Sequence, residues 1–130
     1  MYQATTRDVQ IKVTPKFLMK ESAPEKSHFV WAYSIVIENL GAETIQLMSR
    51  YWRITDGVGR VQEVEGPGVV GEQPVLTPGD SFSYTSGVPL TTPSGFMDGY
   101  YVMVTDEGER FHVTVPAFSL DSADERRVVH

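Results

Sequence analysis

Over residues 8–19, Val9, Ile11 and Val13 alternate with Asp8, Gln10, Lys12 and Thr14, the period-2 pattern of a strand with one buried face. Pro15 cannot donate to a ladder, so this strand is predicted to lie at an edge or to carry a bulge there. Residues 20–27 are polar and include Pro24, which predicts a loop. The strongest strand is predicted over 28–39. There Phe29, Trp31, Tyr33, Ile35 and Ile37 share the face assigned to the core, and Val30, Ala32, Ser34, Val36 and Glu38 form a second, largely covered face. After a turn at 39–42, residues 44–55 resume as strand. Ile45 and Leu47 lie on one face and Met48, Trp52 and Ile54 on the other, a switch that predicts a bulge or bend near Met48 and Ser49.

Asp56-Gly57-Val58-Gly59 has the composition of a hairpin turn, and a short strand is predicted over 60–65. Residues 66–74 are the richest in Gly and Pro and read as a loop, and Pro78-Gly79 suits the centre of a type II turn. A strand at 81–88 carries Phe82 and Tyr84 on one face. A loop at 89–94 and strands at 95–105 and 110–118 complete the pattern, and 119–130 reads as a charged tail, frayed over 121–127. No segment has a helical period. The expectation is a single domain, 1–130, with its core at about 8–118. Its predicted class is all-β: an immunoglobulin-like or fibronectin type III-like β-sandwich of seven or eight antiparallel strands.

Composition sharpens this reading. Hydrophobic residues at 41% and charged residues at 22% are ordinary for a folded domain and exclude a disordered chain. Val outnumbers Leu more than twofold, which suits a pleated, half-buried surface. The net charge of -6 argues against nucleic acid, whose phosphates need a basic face. There are no cysteines, which removes disulfides, thiolate metal sites and cysteine nucleophiles and suits a cytoplasmic protein. Residues 1–6 lack a secretory start, and no run is long and apolar enough to span a bilayer.

Candidate chemistry is sparse. Gly66-Pro67-Gly68-Val69-Val70-Gly71 matches the letters of the dinucleotide fingerprint. That motif needs a following helix to hold pyrophosphate, and Pro74 and Pro78-Gly79 leave no room for one. His28, His112 and His130 show no metal-ligand spacing, and no serine sits in a nucleophile elbow. No catalytic residue, metal ligand or cofactor is assigned. Arg50, Tyr51 and Arg53 around Trp52 have the composition of a recognition patch, although Trp52 itself reads as core.

Several of these stretches resemble the bacterial ApaG family: Ser49-Arg50-Tyr51-Trp52-Arg53-Ile54-Thr55-Asp56, the loop running from Gly66 through Gly68, Gly71, Glu72 and Gln73 to Pro74, and Tyr84-Thr85-Ser86-Gly87. Val13-Thr14-Pro15, Ala32-Tyr33, Asn39, Pro78-Gly79 and Gly95-Phe96-Met97-Asp98-Gly99-Tyr100-Tyr101 extend the resemblance from Val9 to Phe118. Tyr51 departs from it, since relatives often carry His there. The resemblance implies a fibronectin type III-like sandwich. It also implies links to diadenosine tetraphosphate hydrolysis and to Co2+/Mg2+ resistance or efflux, and its occurrence in adaptor proteins implies protein binding. The expected function is therefore a non-enzymatic binding module with a protein partner. The expected contact residues are Gly66, Gly68, Gly71, Glu72, Gln73, Arg50, Tyr51 and Arg53. The alternative is a sensor of a nucleotide polyphosphate or divalent cation. An exposed edge strand would also permit a homodimer.

Overall fold

The computed structural model describes residues 1–122. Nine strands follow in chain order: β1 (Tyr2–Thr6), β2 (Val9–Phe17), β3 (Phe29–Asn39), β4 (Ile45–Asp56), β5 (Val61–Pro67), β6 (Val75–Leu76), β7 (Ser81–Leu90), β8 (Ser94–Thr105) and β9 (Arg110–Asp121). One sheet has the order β1-β2-β3-β7. The other has the order β5-β4-β8-β9, with β6 added against the start of β4. Every pairing is antiparallel. The result is the expected fibronectin type III-like β-sandwich, with two short 3-10 turns at Met19–Glu21 and Pro24–Lys26 inside the predicted loop.

The inward residues of the two sheets interdigitate to form one core. Trp31, Tyr33, Ile35 and Ile37 of β3 are buried as their alternation predicts, and Phe29 is half-buried. Trp52 is buried at the centre of a cross-sheet aromatic group. Its indole packs edge-on to Tyr33 at 5.5 Å, Tyr101 at 6.2 Å and Phe118 at 6.3 Å between ring centroids. Edge-to-face geometry adds about 0.5–1.5 kcal/mol per pair beyond area burial. The β4 register shifts between Leu47 and Ser49 against β8. That bulge changes the expected outcome: Ile45 and Leu47 before it, and Trp52 and Ile54 after it, all enter the same core.

Three features depart from the sequence reading. β1 was not predicted, and it pairs with β2 through a turn in which Arg7 (φ 46) and Asp8 (φ 63) are both left-handed. That geometry belongs to two-residue hairpins and ordinarily recruits Asn-Gly, so Arg-Asp gave no signal. Pro15 is an edge position only in part: β2 has β3 on one side along its length, but β1 covers it only from Val9 to Val13. β9 continues to Asp121, with Leu120 buried, so residues 119–121 belong to the sandwich rather than to a tail. Ser122 is buried as well and its N–H donates to the Pro93 carbonyl at 3.1 Å; the rest of the predicted tail, 123–130, lies outside the described residues.

The two sides of the sandwich differ. β9 packs against β1 and β2 of the facing sheet and closes one side. The opposite side, between β7 and the β5–β4 edge, stays open. Asn39 sets the chain's crossing near the end of β3. It is buried, donates through Nδ2 to the carbonyls of Glu43 (2.8 Å) and Leu76 (3.0 Å), and accepts at Oδ1 from the Gly41 N–H (3.0 Å).

Gly99 sits just past a second register shift, in β8, directly against β4. A Cβ there would overlap the Tyr51 carbonyl oxygen and come within 3.0 Å of the Trp52 ring. Gly99→Ala is therefore expected to lower unfolding free energy by about 3 kcal/mol in urea titration. Gly59→Ala, where a Cβ meets nothing within 4 Å but φ is +89, is expected to cost about 1–2 kcal/mol.

Candidate functional site

The open side holds a groove whose walls are β7 on one side and β4–β5 on the other. Two adjoining cavities of about 260 and 240 Å3 share Tyr33, Arg50, Trp52 and Ser86. The first continues along Val64, Val88 and Met97, and the second ends on Val69, Val70 and Gly71. Each residue arrives there by strand parity. Arg50 shares the inward face of β4 with Trp52 and Ile54, while Tyr84 and Ser86 share the inward face of β7 with Val88.

The guanidinium of Arg50 lies over Gly66, its partner in β5, where a Cβ would stand 3.2 Å from Nη1. From there Nη1 donates to the carbonyls of Pro67 and Gly68, both at 3.0 Å. Arg50 is thus the clamp of the glycine-rich loop. Gln73 supports the same loop by donating from Nε2 to the Met48 carbonyl at 2.9 Å, and the Gly68 N–H bonds the same carbonyl at 2.9 Å. Gly68 is required twice over. Its φ is +60, and a Cβ would overlap the Glu72 carbonyl oxygen.

The loop does not present a row of free amides. The N–H groups of Val69 and Glu72 bond each other's carbonyls at 2.9 Å, closing a two-residue turn on Val70 and Gly71. Pro67 has no N–H, and Gly66 belongs to the β4–β5 ladder. Val70 is left-handed at φ 43 and 55% exposed, an unusual conformation for a β-branched residue. It holds an apolar side chain out at the mouth of the groove.

Tyr33 and Tyr84 line the floor, and Tyr101 is buried behind them. Tyr84 and Tyr101 share a hydrogen bond of 2.7 Å between their hydroxyls, and Tyr33 stands beside Ser86, its partner across β3 and β7. Burial pushes all three above the ordinary tyrosine value of 10.0, against the nearby positive charge of Arg50, which pulls them down. The groove therefore holds neutral hydroxyls beside one cation. Arg7, Arg53 and Arg60 all pair with carboxylates. Arg50 has no carboxylate within 4.0 Å among the described residues.

The structure brings Arg50, Gly66, Gly68 and Gly71 together at one end of the groove and places Glu72 and Gln73 just behind the turn. Tyr51 and Arg53 lie elsewhere, on the outer face of the five-stranded sheet. There Tyr51 donates to Glu63 and stacks on Tyr100 at 4.9 Å, and Tyr100 stacks on His112 at 4.2 Å. Arg53 makes a bidentate pair with Asp98 at 3.2 and 3.0 Å. Tyr33, Tyr84 and Ser86 enter the sequence reading as strand residues and within the stretches that carry the family resemblance, but not as site residues. What places them at the site is inward parity on two strands that border an open side. No group of three or more His, Cys, Asp or Glu side chains gathers to hold a metal among the described residues.

Two predictions follow from the tyrosines and the turn. Ionisation of the three hydroxyls is disfavoured in the folded state, so the stability they confer is complete below pH 10.0 and is lost as pH rises through their raised folded values. Urea midpoints are expected to hold up to about pH 10 and to fall as the pH rises above it, less steeply in a Tyr84→Phe, Tyr101→Phe double variant. Val70→Asn relieves the left-handed strain and is expected to raise unfolding free energy by about 1 kcal/mol in the same titration.

The geometry has counterparts among known proteins. The ApaG domain family matches residues 19–105. A Protein ApaG of Rhodospirillum centenum is 62% identical over 122 residues, covering 94% of each chain. One of Bradyrhizobium diazoefficiens is 56% identical over 130 residues and the full length of both. A crystal structure from Bordetella pertussis, described as an ApaA protein, superposes with a TM-score of 0.88 at 46% identity, covering 90% of this chain and 95% of its own. The chain belongs to the ApaG domain family.

Proposed function

We propose that this chain is a non-enzymatic binding module of the cytoplasm that recognises a protein partner along the groove between β7 and the β4–β5 edge. The observation that carries this reading is the pairing of an open sandwich side with an Arg50 cation that has no carboxylate partner among the described residues. The groove's tyrosines are neutral, and Ser86 is paired across the strands with Tyr33 rather than with a base, which supports recognition chemistry without an activated nucleophile. The groove's two adjoining cavities of about 260 and 240 Å3 suit successive inserted side chains of an extended partner. The family's association with Co2+/Mg2+ resistance or efflux then runs through the partner.

A second reading rests on the same arginine: a sensor in which Arg50 meets a nucleotide polyphosphate. The loop amides supply little to it, since those of Gly68, Val69 and Glu72 are already bonded within the protein. Calorimetry with diadenosine tetraphosphate decides it, and no heat at millimolar nucleotide removes it.

A pull-down from cell extract tests the leading reading. The wild-type chain and Lys16→Glu, changed at an exposed position on β2, are expected to retain the same partner. Arg50→Glu and Val70→Asp are expected to lose it. Retention by all three variants removes the groove from the function.

A further inference from the structure

We propose that β7 takes an extended segment of the partner as an added strand, and that this segment seats an Asp or Glu side chain on Arg50. This rests on the binding-module reading and specifies the partner's chemistry. It begins from how the sandwich treats its edges. An edge strand in an antiparallel sheet turns alternate peptide groups outward, and proteins blunt such edges with charges, proline or a covering element.

The β9 and β5 edges of the five-stranded sheet are blunted. On β9, the outward N–H of Thr114 donates to Thr6 Oγ1 and that of Ser119 donates to the Tyr2 hydroxyl, both at 3.2 Å. The β1 hairpin thus seals that side. On β5, Glu63 and Glu65 are exposed and Pro67 ends the strand. β7 has none of these devices over its first eight residues. From Ser81 to Leu90 it carries no charged residue and its single proline, Pro89, comes next to last. Its outward side chains Ser81, Ser83, Thr85 and Gly87 are exposed and small, so a second backbone can approach. It packs chiefly on β3. No side chain caps its outer edge among the described residues.

An added strand would lie about 4.7–4.9 Å beyond β7, with every second side chain pointing into the gap between the sheets. The groove receives those side chains in two different environments. Near Val64, Val88 and Met97 it is apolar, and toward Tyr84 it carries Arg50. Among the described residues both hydrogen bonds of Arg50 leave from Nη1, so Nη2 and Nε keep donors for a carboxylate. The loop clamp holds the guanidinium in place before any partner arrives, which reduces the ordering cost of the contact. The segment is thus extended, with an apolar side chain and an acidic one at alternating positions. The protein's own net charge of -6 disfavours a second copy as that segment, and β7 itself carries no carboxylate to offer.

The test pans a random 12-residue peptide library on the full chain. Enriched peptides are expected to share an Asp or Glu flanked at alternate positions by apolar residues. In a synthetic copy, Asp→Asn or Glu→Gln should weaken binding about tenfold or more. N-methylation should abolish binding at every second residue and be tolerated between them. Bound peptide should slow amide hydrogen exchange in β7 rather than in β5 or β9. Peptides that occupy the groove yet tolerate both changes overturn strand addition and leave the binding-module reading standing. No enriched peptide overturns the inference, and a negative pull-down beside it overturns both. A dimer with β7 amides protected in the absence of peptide makes a second copy the occupant and likewise overturns it.

Discussion

The edge-on packing of Trp52 against Tyr33, Tyr101 and Phe118 is the joint on which the rest of the structure depends. Tyr33 belongs to the four-stranded sheet and the other three to the five-stranded sheet, so one indole ties both layers together. It lies toward the open side, where its exposed rim becomes the floor of the groove. The same ring therefore fills the core and shapes the surface. Around it the protein keeps three hydroxyls neutral and one guanidinium charged, with the Tyr84 and Tyr101 hydroxyls satisfying each other.

Much of the architecture could be read from alternation. β3 announces itself by five inward apolar residues, and the phase change at Met48 locates the β4 bulge. What escaped notice lacked the usual letters. The β1–β2 turn places Arg7 and Asp8 in left-handed geometry without Asn or Gly. It is held instead by Arg7 pairing with Glu43 and Glu109 and lying 4.3 Å above the Phe111 ring, contacts between residues far apart in sequence. The end of β9 looked like a polar tail, because Leu120 is its only strongly apolar residue after Phe118.

The candidate site was legible in pieces. Arg50 and the glycines were visible as letters, but their relation was not. Parity already separates Arg50, which follows Trp52 inward, from Tyr51 and Arg53, which face outward. Only the β4–β5 register places Arg50 opposite Gly66 and lets it clamp the carbonyls beyond. The resemblance of this loop to a phosphate cradle dissolves for the same reason. A glycine-rich run binds anions through unspent N–H groups, and here those of Gly68, Val69 and Glu72 are spent on the protein's own carbonyls. Strain at Val70 survives beside this well-bonded frame, as expected where a surface is kept for contact rather than for stability.

The seal that Tyr2 and Thr6 place on β9 has a consequence for crowded solutions. A sandwich with two bare edges can stack copy upon copy into a ribbon, because each arrival presents a fresh edge to the next. Here one side is stitched shut by side-chain oxygens and β5 is fenced by carboxylates. Two chains meeting through β7 would use up that edge on each and form a closed pair, and the blunted β9 and β5 edges would offer no site to the next copy.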